Sequence, residues 1–307
     1  MSTNQTKGLL LATTTAFLWG FLAVALKIAL NYFDSYTIVW FRFALAFMVL
    51  LCFYGMKKPE YLRVFRKPPL LLIAAAVLLG ANYIGFMQGV NYAGPGATQV
   101  IIQAGPITLG VVGFLFFKEK VTWIRGIGFG IAAIGFGFFY YQQLKEFVSN
   151  SEALNAGVFW TLFAAWSWTG YAVLSKVLVR KWPAQQLNLI IYGLPALLFI
   201  PLADFSAFSQ PLAWWVWLLM IFLGLNTVVA YGALTASFKY ADANKISIII
   251  TMNPIITFIL LELLIHFEAN WFPLTSFPPM AYAGAALVLV GAILAVGKTT
   301  KKKSGSS

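Results

Sequence analysis

Ten apolar runs, each long enough to cross a bilayer, follow one another along the chain with only short polar connections between them. They lie at about residues 8–30, 35–55, 69–91, 96–117, 122–140, 154–180, 184–203, 213–239, 243–265 and 279–297. An α-helix rises about 1.5 Å per residue, so about 20 residues cover about 30 Å of hydrocarbon and satisfy every backbone amide internally. The pattern therefore predicts an all-α integral membrane protein with ten transmembrane helices. Composition agrees, with 61% of residues hydrophobic and 10% charged. A soluble domain carries about 25% charge, and this much apolar surface must face lipid. The short connections predict that consecutive spans are antiparallel neighbours. Only Lys7 precedes the first run as a charge, and no small-residue cleavage pattern follows it, so that run reads as a retained span.

The net charge of +12 is distributed over loops and the tail. One set of loops holds Lys7, Lys57, Lys58, Arg63, Arg66, Lys67, Lys118, Lys120, Arg125, Arg180, Lys181, Lys239, Lys245 and Lys298 onward. The opposite set holds only Lys145 among acidic residues such as Asp34 and Asp204. Basic loops stay on the cytoplasmic side, so both termini are expected there, in an inner (plasma) membrane. Residues 299–307 read as a disordered basic tail, of which Ser304–Ser307 could equally be a cloning scar. The bases make no continuous surface, so no nucleic-acid partner is expected; the partners are membrane lipids and a small molecule. The sequence does not fix the oligomeric state and is compatible with a monomer. A single cysteine, Cys52, and a single histidine, His266, exclude an intrachain disulfide and Cys-based metal clusters. No cofactor and no metal are expected.

The chain also repeats itself. Gly8, Trp19 and Lys27 recur at one offset as Gly157, Trp168 and Lys176. Gly80 and Asn82 recur as Gly224 and Asn226, and Tyr92-Ala93, Pro106-Ile107 and Trp123 as Tyr240-Ala241, Pro254-Ile255 and Trp271. Residues 1–148 and 149–298 thus read as two five-helix repeats. Five crossings reverse the direction of entry, so the repeats are inverted. Inverted repeats around a central midplane cavity are the usual basis of alternating access, although a duplication retained only for packing would leave the same trace.

These residues resemble the drug/metabolite transporter superfamily, in particular its ten-helix EamA-type permeases. Leu18-Trp19-Gly20 opens the first motif, and Trp40-Phe41-Arg42-Phe43 is similar to the family's Arg-Phe pair. Tyr92-Ala93 with Gly105-Pro106, then Phe117-Lys118-Glu119-Lys120 and the glycines from Gly126 to Gly135, continue the order. Asn253-Pro254, Glu268 and Gly284 through Gly291 repeat it. The sequence departs from the pattern at His266-Phe267-Glu268-Ala269-Asn270, where a Gly-Glu-Lys-like string is usual. The resemblance implies a carrier of small organic metabolites, often an exporter of amino acids, shaped as a basket around a cavity.

A polar side chain near the middle of a span is costly against lipid and should face the bundle or a cavity. Trp19, Asn82, Tyr83, Gln103, Trp168, Tyr171, Asn226, Tyr231 and Asn253 meet that condition as substrate-binding candidates, with Trp166 and Thr251 at similar depth. Amides offer donors and acceptors to a charged head group, and Trp and Tyr supply apolar walls and cation-π faces. The alternative is helix-to-helix glue. Trp214, Trp215 and Trp217 read as an interfacial belt. Pro106 and Pro254 are hinge candidates or static bends, and the glycines at 126, 128, 130, 135 and 137 read as close-packing positions. Lys27 and Arg42 are read toward the outer ends of their spans, pairing with Asp34, attracting an anionic group or snorkelling. Glu262 and His266, one turn apart, read as a proton-sensitive or inert interfacial pair. Glu119 reads as architectural or as part of an inner gate.

Together these features favour a secondary transporter of small amphipathic metabolites, amino acids first, exporting them as a uniporter or proton antiporter. The alternatives are a membrane-embedded enzyme or a channel acting on a small metabolite or lipid. An enzyme would need a nucleophile with a base, or clustered metal ligands, at one depth, and a channel a filter-like string or ring of charges.

Overall fold

The computed structural model describes residues 3–117, 123–148, 152–267 and 279–296, and among them every regular element is helical. α1 (Thr3–Ala29) and α2 (Ser35–Lys57) are uninterrupted spans. Asp34 starts α2: its carboxylate accepts hydrogen bonds from the Tyr36 and Thr37 amides, satisfying donors that the first turn leaves open. That role, rather than pairing with Lys27 or Arg42, accounts for Asp34. α3 (Leu70–Ile101) carries the third span and the beginning of the fourth. The bend between them is Gly94, at φ 79° and ψ 167°, followed by Pro95. Only glycine reaches that backbone region easily, and the proline stops a helix from running straight through.

α4 (Ala104–Leu115) completes the fourth span, and α5 (Trp123–Val148), α6 (Glu152–Leu178) and α7 (Ala184–Leu198) follow. The eighth span is composite: α8 (Trp214–Asn226), a π-helical stretch over Thr227–Tyr231, then α9 (Gly232–Tyr240). α10 (Ala243–Ile250) and α11 (Asn253–His266) make the ninth, and α12 (Pro279–Val296) the tenth. The fourth and ninth spans, expected as continuous, are therefore each broken by one turn, at 102–103 and 251–252. Pro106 and Pro254 sit in the first turn of the second piece, where a missing amide hydrogen does no harm and a preset φ is useful.

Consecutive spans are not the main packing partners. α1 lies against α8, α9, α10 and α11 of the second half, and α6 lies against α3 and α4 of the first. α2 packs on α7, and α5 on α12. Short connections bring helix ends together but leave each helix free to turn its small and polar face elsewhere. The outcome is two halves that interlock.

Two close approaches are matched between the halves. A Cβ on Gly8 would lie 2.8 Å from the Ala241 Cβ, and one on Gly157 would lie 2.6 Å from the Ala93 Cβ. Each repeated glycine thus meets the repeated alanine of the other half, at opposite ends of the bundle. The glycines of α5 differ from expectation. Added Cβ atoms on Gly126, Gly130 and Gly137 would meet open space, whereas Gly291 of α12 packs onto the Gly128 carbonyl and Ala132. Only one face of the glycine-rich helix meets its neighbour. Large apolar side chains such as Phe17, Phe114 and Phe159 are exposed around the outside, as lipid contact requires.

Candidate functional site

A cavity of about 50 Å³ lies where the two halves meet. Its walls come from α1 (Trp19, Leu22), α2 (Arg42), α3 (Asn82, Tyr83, Phe86, Gln99), α6 (Trp168) and the π-helical stretch (Tyr231). The two broken spans close it, with Ile102, Gln103 and Pro106 on one side and Ile250 and Asn253 on the other. At about one water per 10–15 Å³ of such volume, this is room for a few waters, so the walls must part to admit a metabolite.

Aromatic rings form a continuous course along the wall. Trp19 meets Trp168 edge-on at 6.0 Å between centroids and Tyr231 at 4.9 Å, and Tyr231 meets Tyr83 at 5.3 Å. Trp19 and Trp168, which recur at one offset in the sequence, meet on the cavity wall.

The carboxamides do a different job from the one their composition suggests. Asn82 donates to the Ala164 carbonyl at 3.0 Å and accepts from the Tyr231 hydroxyl at 3.1 Å. Asn226 donates to the Leu18 carbonyl at 3.0 Å, and Gln99 to the Trp19 carbonyl at 3.0 Å. Thr257 donates to the next carbonyl, Gly20, at 2.6 Å. Three successive carbonyls of α1 are thus held by side chains from three other helices, which fixes the cavity wall by interhelical hydrogen bonds. Gln103 donates to the Gln99 carbonyl and, at 2.7 Å, to Asn253 Oδ1. That last bond joins the two helix breaks.

Of the expected substrate-binding residues, Trp19, Asn82, Tyr83, Gln103, Trp168, Tyr231 and Asn253 come together on this cavity, and Tyr171 and Asn226 do not line it. Tyr171 stands behind Tyr231, its hydroxyl 2.8 Å from the Thr235 hydroxyl. Trp166 is 60% exposed and points away from the bundle. Thr251 is buried and donates to the Ile248 carbonyl.

Arg42 is the main correction. It is 2% exposed, about 10 Å below the start of α2 by helix rise, and it lines the cavity rather than reaching for the interface. Its Nε donates to the Thr227 hydroxyl at 3.3 Å, and its guanidinium lies 4.3 Å from the Tyr83 ring centre. Tyr83 also donates to Thr227, at 3.2 Å. Charge alone suggests an end position; the π-helical stretch that presents Thr227 and Tyr231 leaves no recognisable mark in the sequence.

Lys27 is half-buried in the last turn of α1 and has no ion pair among the described residues, while its equivalent Lys176 donates to the Ala241 carbonyl at 3.3 Å. Pro106 lines the cavity; Pro254 is buried beside it. Glu262 is half-buried, and no ion pair joins it to the exposed His266, which stacks edge-on against Phe267 at 5.4 Å. Glu119, Lys120, Glu268 and the tail from 299 lie outside the described residues.

Residues 6–141 and 155–297 each match the EamA-like transporter family. An uncharacterized transporter of Haemophilus influenzae is 32% identical over 94% of this chain and 94% of its own length. The uncharacterized inner membrane transporter YhbE of Escherichia coli is 34% identical over 93% of this chain and 90% of its own. A solved crystal structure with 17% identity superposes at a TM-score of 0.73, covering 95% of this chain and 97% of that one, which speaks for the fold alone.

Proposed function

The chain belongs to the EamA-like transporter family, and from that premise we propose that it exports small amphipathic metabolites, amino acids foremost, by alternating access across an inner membrane. Both termini are cytoplasmic in this reading, and the protein works as a uniporter or proton antiporter. The observation that carries it is the polar and aromatic cavity between two interlocked halves, with matched glycine–alanine contacts at both ends of the bundle. Exchanging which end is closed would open the same walls first to one side and then to the other. Trp and Tyr faces suit the apolar body of such a substrate, and the amide oxygens its polar groups.

Reconstituted into proteoliposomes, the purified protein is expected to give saturable flux of radiolabelled metabolites, with substrate recovered unchanged. A pH gradient accelerates that flux if protons are exchanged and leaves it alone if they are not. Trp168→Ala removes one aromatic wall and should lower initial flux about two- to tenfold, the worth of an aromatic contact, while insertion and elution profile stay those of the wild type. Non-saturating flux points to a channel, and chemically altered substrate to an enzyme.

A further inference from the structure

The cavity wall is unbalanced in charge and in hydrogen bonding. Among the described residues, Arg42 is the only charged one on it, and no carboxylate of theirs lies within ion-pair distance of the guanidinium. One guanidinium nitrogen, Nη2, finds no hydrogen-bond partner among the described residues, and neither do the indole Nε1 atoms of Trp19 and Trp168. Those two indoles are 8% and 3% exposed. Buried donors are normally paired, and a buried cation normally has an acid beside it. The second half offers no counterpart: α7, the repeat equivalent of α2, contains no Lys or Arg. The charge therefore breaks the symmetry of the cavity. It is also held in place, because Thr227 fixes Nε and the Tyr83 face supports the guanidinium plane. Thr227 opens the π-helical stretch, a local distortion of the kind that gathers at functional sites.

Three unpaired donors, one of them cationic, and one unpaired acceptor, Gln103 Oε1, belong to side chains that line a single small space. We propose that this is a carboxylate site: the carboxylate of the transported molecule docks on Arg42 with the indole N–H groups of Trp19 and Trp168, and its apolar body lies along Phe86 and the tyrosines. A guanidinium matches a carboxylate in charge and in the spacing of its donors. One positive charge with neutral donors suits a monoanion better than a phosphate monoester, which carries about −1.5 to −2. Amines find no acid among the described residues of the wall, so selection falls on organic carboxylates, with or without an amino group. This assignment rests on the transport reading for its biological meaning but not for its test, which measures binding.

The full-length protein in nanodiscs, at constant ionic strength, is titrated with propionate and 3-phenylpropionate. Propylamine, phenethylamine, 3-phenylpropanol and phenyl phosphate are titrated in parallel. Thermal unfolding and tryptophan fluorescence report binding. Both carboxylates are expected to raise the unfolding temperature saturably, and the amines and the alcohol to have no effect. Arg42→Gln should weaken the carboxylates at least tenfold, and Arg42→Lys, which keeps the charge without the planar fork, should fall between. Replacing an unpaired buried charge relieves the fold rather than straining it, and an unfolding temperature of Arg42→Gln at or above wild type without ligand checks this. Absence of stabilisation by either carboxylate, equal binding of the amines, stronger binding of phenyl phosphate, or indifference to Arg42→Gln each overturns the proposal. Carboxylate binding without flux would leave the site standing and remove the transport reading instead.

Discussion

Replacing Gly157 with alanine is expected to hold the protein open at the face where α6 begins, and replacing Gly8 with alanine to hold it open at the opposite face. In the closed contacts, the new Cβ would lie 2.6 Å from the Ala93 Cβ in the first case and 2.8 Å from the Ala241 Cβ in the second, with backbone atoms directly behind. Overpacking of this kind costs about 1–3 kcal/mol. Once the pair separates the clash disappears, while the helix propensity that favours alanine over glycine acts equally in both states and cancels. The remaining preference for separation, about 1–3 kcal/mol, moves the closed–open equilibrium by about 5- to 150-fold. A carrier biased open on one side completes its cycle less often, so flux should fall by about the same factor in each variant. The direction of the lock is the sharper readout. With the exposed Cys52 first replaced by serine, Phe86→Cys places a reporter on the cavity wall. An impermeant maleimide should reach it from one side of the membrane in the Gly157→Ala protein and from the other side in the Gly8→Ala protein. Labelling from the same side in both, or undiminished flux, would show that these contacts do not act as gates.

The same two contacts explain why the repeat could be read from sequence at all. Gly8, Gly157, Tyr92-Ala93 and Tyr240-Ala241 repeat because the glycine of each half fits the alanine of the other, so the steric constraint is identical at both ends. The spans were legible for an equally simple reason: hydrocarbon thickness fixes their length and composition. What the sequence does not carry is the rotation of each helix about its axis. Arg42 looks like an end-of-span base until Thr227 and Tyr83 are seen around it, and these come from the eighth and third spans, 185 residues away for Thr227. Asn82 and Asn226 are equivalent letters in the repeat, yet only Asn82 lines the cavity. Each donates to a first-span carbonyl of the other half, at Ala164 and Leu18. Those carbonyls do not stand at equivalent positions, so the symmetry of the letters exceeds the symmetry of the contacts. The π-helical stretch beside Asn226 introduces an extra residue per turn at that depth, and no propensity rule marks where such a turn will form. Partner choice is hidden for a related reason, since a short loop says where a helix starts but nothing about which neighbour its polar face will find.

The two helix breaks offer the second large effect. Gln103 and Asn253 are joined by a 2.7 Å hydrogen bond between side chains that each stand at the kink of a broken span. Prolines 106 and 254 explain why the helices break there, but not why the breaks face one another. The side-chain bond supplies that register, because Gln103 is also anchored to the Gln99 carbonyl and so has a fixed direction. Measured interhelical hydrogen bonds in membranes reach about 0.6–1.7 kcal/mol, which corresponds to about three- to twentyfold in a rate or an equilibrium. Gln103→Leu and Asn253→Leu are each expected to lower initial flux by that factor. The single variants leave a buried donor or acceptor without its partner, whereas the double variant removes both ends of one bond and leaves apolar side chains facing each other. Its flux should therefore lie near that of either single variant and well above the product of the two losses. Fully multiplicative losses would mean that the two residues act separately and that the bond does not set the geometry of the breaks. A double variant restored to wild-type flux would place the whole effect in the unpaired polar atom, leaving the bridge itself without a role in transport.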